Sequence, residues 1–208
     1  MTEEAKRVVA EGYDAVYERY EQWDDGDGVR DRWLDAVLPL VAGRAAALDL
    51  GCGTGVKATA RLAREFVAVT AIDVSPRSIE RARTRVPAVD FRVGDMTAVE
   101  HADQSFDLVT AFFSVLHVPA GEQPELLARI ARWLVPGGVL LFNTALHAGD
   151  GGEPDWLGVP MYWSSLGREA TLAAVVDAGL EVLDSTVDTI VEHGGGATFL
   201  WVIARRPR

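Results

Sequence analysis

Apolar segments of strand length alternate with amphipathic stretches of helical length along most of the chain, the pattern of a parallel sheet wrapped by helices. The spacing predicts strands over 45–50, 67–73, 89–93, 106–112 and 138–144, with helices over 54–65, 76–85 and 124–134 between them. A helix near 169–178 follows, then strands near 180–191 and 198–204. The Gly-rich connection "EHGGGA" between these last two is so short that they must run antiparallel. The expected fold class is therefore α/β, with a mostly parallel sheet closed by an antiparallel C-terminal hairpin strand. No linker-like stretch or internal repeat divides the 208 residues, so one domain is expected. Its parts would be a helical cap over 1–43, a ligand-binding core over 44–145, an insertion over 146–165 and a terminal helix and hairpin over 166–208.

Charge and composition narrow the partners. The formal net charge of −11 repels a phosphate backbone, so no nucleic-acid partner is expected. No apolar run is long and uninterrupted enough to span a bilayer, and the charged start "MTEEAKRVVAEG" is unlike a signal peptide, so the expectation is a cytoplasmic protein without a membrane partner. The single cysteine, Cys52, excludes an internal disulfide and a cysteine-cluster metal site. No carboxylate and histidine cluster at metal-ligand spacing is evident, so no metal is expected, and the assembly is read as monomer or homodimer.

The stretch "LDLGCGTGVKAT" carries the strongest chemical signal. An apolar strand reaches Asp49 and then meets Gly51, Gly53 and Gly55 at alternate positions, where bare backbone permits a sharp turn and close approach of a nucleotide-like ligand. A dinucleotide loop reads G-x-G-x-x-G, and here the third glycine arrives one residue early. An acid at Asp49 would also repel a pyrophosphate, whereas it suits a ligand bearing an ammonium and a sulfonium, as S-adenosylmethionine does. Asp73 ends the next strand 22 residues after Gly51, where a carboxylate accepts hydrogen bonds from ribose hydroxyls of either cofactor.

The segments "ALDLGCGTG", "TAIDVSPRSIERAR", "FRVGDMTAV", "FDLVTAFFSVLHVP" and "LLARIARWLVPGGVLLFNT" resemble the successive motifs of the class I S-adenosylmethionine-dependent methyltransferases, in order and at family spacing. The resemblance covers about 45–144 and implies a Rossmann-like seven-stranded sheet with helices on both faces. It further implies that Gly51, Cys52, Gly53 and Gly55 pass beneath the methionine part, that Asp73 holds the ribose, and that Val74 packs on the adenine. Asp95 would accept the adenine amino group, Met96 would offer a backbone amide, and Ala111 and Phe112 would flank the sulfonium. Tyr13, Tyr17 and Tyr20 fall on one helical face, and in the resembling family an N-terminal helix closes over the cofactor with tyrosines matching Tyr13 and Tyr20 touching it.

Candidate acceptor contacts come from segments leaving the carboxyl ends of the strands. His117 follows the fourth strand and is the first candidate for a general base, used as neutral imidazole. His147, Glu192 and His193 lie on expected rim loops and are further candidates, while His101 sits in a polar loop and is expected in solvent. Trp156, Met161, Tyr162 and Trp163 would form an apolar, adaptable lid over a small organic acceptor. The Asn/Asp-Pro-Pro-Tyr/Phe signature for nucleobase or glutamine amino groups is absent, because 110–113 reads TAFF. The expected activity is methyl transfer from S-adenosylmethionine to an oxygen or nitrogen of a small molecule of the kind found in secondary metabolism, releasing S-adenosylhomocysteine. A non-methylating cyclase or cofactor-binding regulatory module on the same scaffold, or a nicotinamide-dependent oxidoreductase, are the alternatives.

Overall fold

A computed structural model describes residues 2–22, 28–192 and 195–208. Its strands are β1 (Ala46–Leu50), β2 (Ala68–Asp73), β3 (Asp90–Val93), β4 (Phe106–Ala111), β5 (Leu134–Ala145), β6 (Gly149–Trp156), β7 (Val159–Ser165), β8 (Glu181–Glu192) and β9 (Gly195–Arg205). Seven form one sheet in the order β3-β2-β1-β4-β5-β9-β8, and β6 with β7 makes a separate ribbon. β1 pairs in parallel with β2 and β4, β2 with β3, and β4 with β5. β9 is antiparallel to both β5 and β8, so β8 runs with the first five strands. The parallel sheet with an antiparallel terminal hairpin is the architecture the residue pattern predicts.

The central strands are apolar on both faces because helices cover both. On one face α2 (Val29–Val37), α3 (Ala58–Glu65) and α4 (Pro76–Arg85) bury Leu34, Leu62 and Ile79; on the other α5 (Gln123–Trp133) and α6 (Arg168–Asp177) bury Leu127, Trp133 and Val175. α4 begins where expected, since the Ser75 hydroxyl accepts the Ser78 amide at 3.0 Å and Pro76 opens the first turn. α1 (Thr2–Gln22) packs on β7 and α4. The strand order reverses between β1 and β4, which opens the crevice where ligands bind in such sheets.

Three of the differences from expectation have local reasons. The helix expected from 54 begins at Ala58, because the Gly55 amide donates to the Cys52 carbonyl at 3.1 Å and keeps the segment a turn. β4 stops at Ala111, since Phe113 adopts a left-handed conformation (φ 53°) and its amide donates to Asn143 Oδ1 at 2.7 Å. The insertion expected as an apolar lid over 146–165 is the β6–β7 ribbon, turned at Leu157 (φ 52°) and Gly158 (φ 85°). Two successive positive φ values make the two-residue turn whose twist matches the flanking strands.

Candidate active site

The β1–α3 loop forms the floor of a cavity of about 120 Å3. One buried water needs roughly 10–15 Å3 on this scale, so the space holds an organic ligand of many atoms. Gly51, Gly53 and Gly55 all have positive φ (77°, 55° and 72°), but they serve different ends. A Cβ on Gly51 would lie 2.3 Å from Ser114 Cβ, and one on Gly55 would lie 2.9 Å from the Phe91 ring, so these two are required by packing. A Cβ on Gly53 would meet nothing within 4 Å: it would project into open space at the cavity wall, the place where a ligand touches bare backbone.

Asp73 ties that loop to the end of β2. Its carboxylate accepts the Gly53 amide at 2.8 Å and the Ser75 amide at 2.9 Å. Burial pushes its pKa up to about 6, with the two amides opposing and the nearby Asp49 and Asp14 carboxylates adding to the rise. Asp49 is only 2% exposed, its oxygens taken by the hydroxyls of Thr59 (2.5 Å) and Thr110 (2.8 Å). Burial raises its pKa against those two donors and the Arg30 charge. Asp95 behaves oppositely. Burial alone would raise it, but the Lys6 ammonium at 2.9 Å and the amide and hydroxyl of Thr97 together hold it below the ordinary value. Val74, Met96 and Phe112 also line the cavity, as does Cys52, whose thiol burial drives well above its usual pKa and leaves unreactive.

His117 also lines the cavity, from the one-turn 3-10 segment Val115–His117. Its Nδ1 lies 2.8 Å from the Tyr162 carbonyl and its Nε2 lies 2.8 Å from the Tyr13 hydroxyl. A carbonyl only accepts, so Nδ1 carries the proton, and Nε2 must then accept from Tyr13. Burial lowers the imidazole pKa to about 4, the Tyr162 carbonyl opposing, so His117 is neutral at ordinary pH. Tyr13 lies edge-on to Tyr20 (5.4 Å), Trp156 (5.4 Å) and the His117 ring (5.2 Å), and Trp163 tilts over His117 at 4.5 Å.

Several expected site residues are elsewhere. Ala111, the last residue of β4, is wholly buried in the core and is not among the residues lining the cavity. His147 is exposed between β5 and β6, away from the cavity lining. Met161 is 1% exposed and packs against Gly12 of α1. Tyr162 turns its hydroxyl to Asp150 at 2.6 Å and offers the site only its carbonyl. Trp156 and Trp163 back the tyrosine and histidine rings without lining the cavity, so they support its wall. The Glu192 side chain and His193 lie outside the described residues. His101, expected in solvent, lies edge-on to Phe106 (5.1 Å) and Trp133 (5.0 Å). Among the described residues no three His, Cys, Asp or Glu side chains gather in a way that could hold a metal ion.

Four contributors escaped the sequence reading. Lys6 joins α1 to Asp95 and to Glu122 at 2.7 Å. Arg30, 9% exposed on α2, lines the cavity with its guanidinium 4.5 Å from the Phe113 ring centroid and donates to the Tyr20 hydroxyl at 3.3 Å. Phe113 lines the cavity in its left-handed conformation. Asp14 accepts the Ser75 hydroxyl at 2.5 Å and the Arg77 amide at 3.2 Å, seating α1 on the start of α4. Lys6 lies on α1 and Arg30 on α2, and nothing in the local sequence says which part of the sheet each meets.

Residues 47–138 match the model of a methyltransferase domain family. Over 88% of this chain the sequence is 31% identical to 27-O-demethylrifamycin SV methyltransferase of Amycolatopsis mediterranei, covering 70% of that protein. The N-methyltransferase NodS of Bradyrhizobium japonicum, solved with S-adenosylhomocysteine, shares the fold at TM-score 0.68 and 22% identity, covering 89% of this chain and 90% of its own. The [4+2]-cyclase SpnF shares it at TM-score 0.62 and 24% identity, covering 85% and 80%. The chain belongs to the class I S-adenosylmethionine-dependent methyltransferase family, and its cofactor is S-adenosylmethionine. No helix among the described residues is long and apolar enough to cross a membrane.

Proposed function

We propose that the protein transfers a methyl group to an oxygen or nitrogen of a small organic acceptor, with His117 and Tyr13 taking the acceptor's proton. The observation that carries this reading is the neutral, buried imidazole whose Nε2 meets the Tyr13 hydroxyl at the wall of the cavity that also holds Gly53, Asp73 and Asp95. Asp73 would accept the ribose hydroxyls, Asp95 the adenine amino group and the Met96 amide would face the ring. Asp49 and Arg30 would present opposite charges to the zwitterionic amino-acid end. The cofactor supplies a methyl group already activated on a sulfonium, so the chain's task is alignment, exclusion of water and removal of a proton.

For a hydroxyl acceptor the proton passes to Tyr13 Oη as the tyrosine's own proton moves to His117 Nε2. The imidazolium so formed replaces the positive charge that transfer removes from sulfur, so the buried site gains no net charge. An amine acceptor would lose its proton by the same route. The likeness to a rifamycin methyltransferase favours an acceptor of the secondary-metabolite class. The test is a panel of small hydroxyl and amine compounds incubated with S-adenosylmethionine and scored for S-adenosylhomocysteine. Release with at least one acceptor, reduced roughly a hundredfold in His117→Ala, is expected. Cofactor that binds tightly yet is never consumed would instead favour a non-methylating role.

A further inference from the structure

We infer that Gln123 is a positioning residue for His117, which with strand β7 holds the imidazole as its Nδ1–H tautomer and Nε2 toward Tyr13. The inference rests on the base reading above only for its catalytic consequence. Gln123, the first residue of α5, is 1% exposed. Its Nε2 donates to the carbonyls of Val118 (2.8 Å), Ser164 (3.1 Å) and Val115 (3.3 Å). Val115 and Val118 bracket His117, and the Val118 amide closes the turn on the Val115 carbonyl at 3.0 Å.

Tyr162 and Ser164 are alternate residues of β7, so their carbonyls point the same way along one strand edge. The other edge of β7 pairs with β6, and Tyr162 pairs with Gly152 and Ser164 with Asp150. One of these carbonyls takes the His117 Nδ1–H and the other takes Gln123, while the Ser164 hydroxyl accepts the Ala120 amide at 2.9 Å. The ribbon and the histidine turn are thereby stitched along a buried seam. Loosening that seam lets the Tyr162 carbonyl shift off Nδ1, and in the other tautomer Nε2 carries a proton and no longer accepts from Tyr13.

The test reads the tautomer directly, without an acceptor molecule. In cofactor-free protein labelled with 15N-histidine at pH 7, the His117 signal, assigned by its loss in His117→Gln, should show Nδ1 protonated. In Gln123→Met, with folding checked by thermal melting, the tautomer ratio should move about tenfold toward Nε2–H, the effect of losing one hydrogen bond's preference. Ser164→Ala, a milder change to the same seam, should move it in the same direction. Turnover of Gln123→Met should fall roughly tenfold, with S-adenosylhomocysteine affinity within about twofold, and with no further loss when His117 is already Ala. An unchanged tautomer ratio in folded Gln123→Met and in Ser164→Ala would overturn the inference. If His117→Ala alone leaves turnover intact, the base reading falls, and the tautomer result still decides the role of Gln123.

Discussion

Replacing Asp73 tests the cofactor site at the point where local geometry and ligand chemistry meet. Its carboxylate closes β2 and already organises the Gly53 and Ser75 amides, so Asp73→Ala removes the proposed ribose acceptor and loosens the loop at Gly53 together. Hydrogen bonds to a charged group contribute about 1.5 to 3 kcal/mol each, and water entering the gap returns part of that. A net loss of about 1 to 3 kcal/mol follows, a factor of roughly 5 to 150 in Kd. The pKa of about 6 adds a second signature, because the ionised carboxylate is the better acceptor. A group titrating there is ionised in only about one molecule in eleven at pH 5, so wild-type affinity should be about tenfold weaker at pH 5 than at pH 8. His117, with its pKa lowered to about 4, does not titrate appreciably in that window. Calorimetric titration with S-adenosylhomocysteine across pH 5 to 8 measures both effects. A wild-type Kd independent of pH, or a folded Asp73→Ala that binds as tightly as wild type, would refute the reasoning.

Three further outcomes follow from the same geometry. Gly51→Ala should lower the melting temperature markedly, since its Cβ would overlap Ser114, whereas Gly53→Ala should fold with only a modest loss from its left-handed backbone and bind S-adenosylhomocysteine at least tenfold more weakly. Melting curves beside calorimetry separate the two, and equal behaviour would show that the loop is only a turn. If His117 is the base, turnover at saturating cofactor should stay flat from pH 8 down to about 5 and decline only toward the lowered pKa near 4; a decline centred near 6.5 would mean that the imidazole is solvated during turnover. Lys6→Met should weaken cofactor binding several-fold, more at low salt than at high, because Asp95 loses its paired cation and α1 loses its ties to Asp95 and Glu122. An affinity indifferent to both the substitution and salt would disconnect α1 from the cofactor.

Where the sequence is legible, chemistry is local. The glycine loop, the acids at the ends of β1 and β2, and the capped start of α4 depend on neighbours within a few residues, and the apolar period fixes which strands are buried. The β6–β7 ribbon was illegible because β6 is Gly-rich and exposed along nearly its whole length, so it has no alternation to read, and its two-residue turn places Leu157 in a conformation that side chains disfavour. Met161 and Tyr162 were misread for the same reason: strand pairing decides which side chains face α1 and which face solvent. Arg30, Lys6 and Gln123 act across sequence separations that only the fold closes. Ala111 shows the opposite case: a position expected to flank the sulfonium has its side chain taken up by core packing at the end of β4.

A crystal structure of the complex with S-adenosylhomocysteine tests the central claim most directly. It should show both ribose hydroxyls within hydrogen-bond distance of the Asp73 carboxylate, the adenine between Val74 and Met96 with its amino group on Asp95, and the sulfur facing the Tyr13–His117 pair across the remaining cavity. A cofactor whose sulfur points away from that pair, or whose ribose lies beyond reach of Asp73, would contradict it.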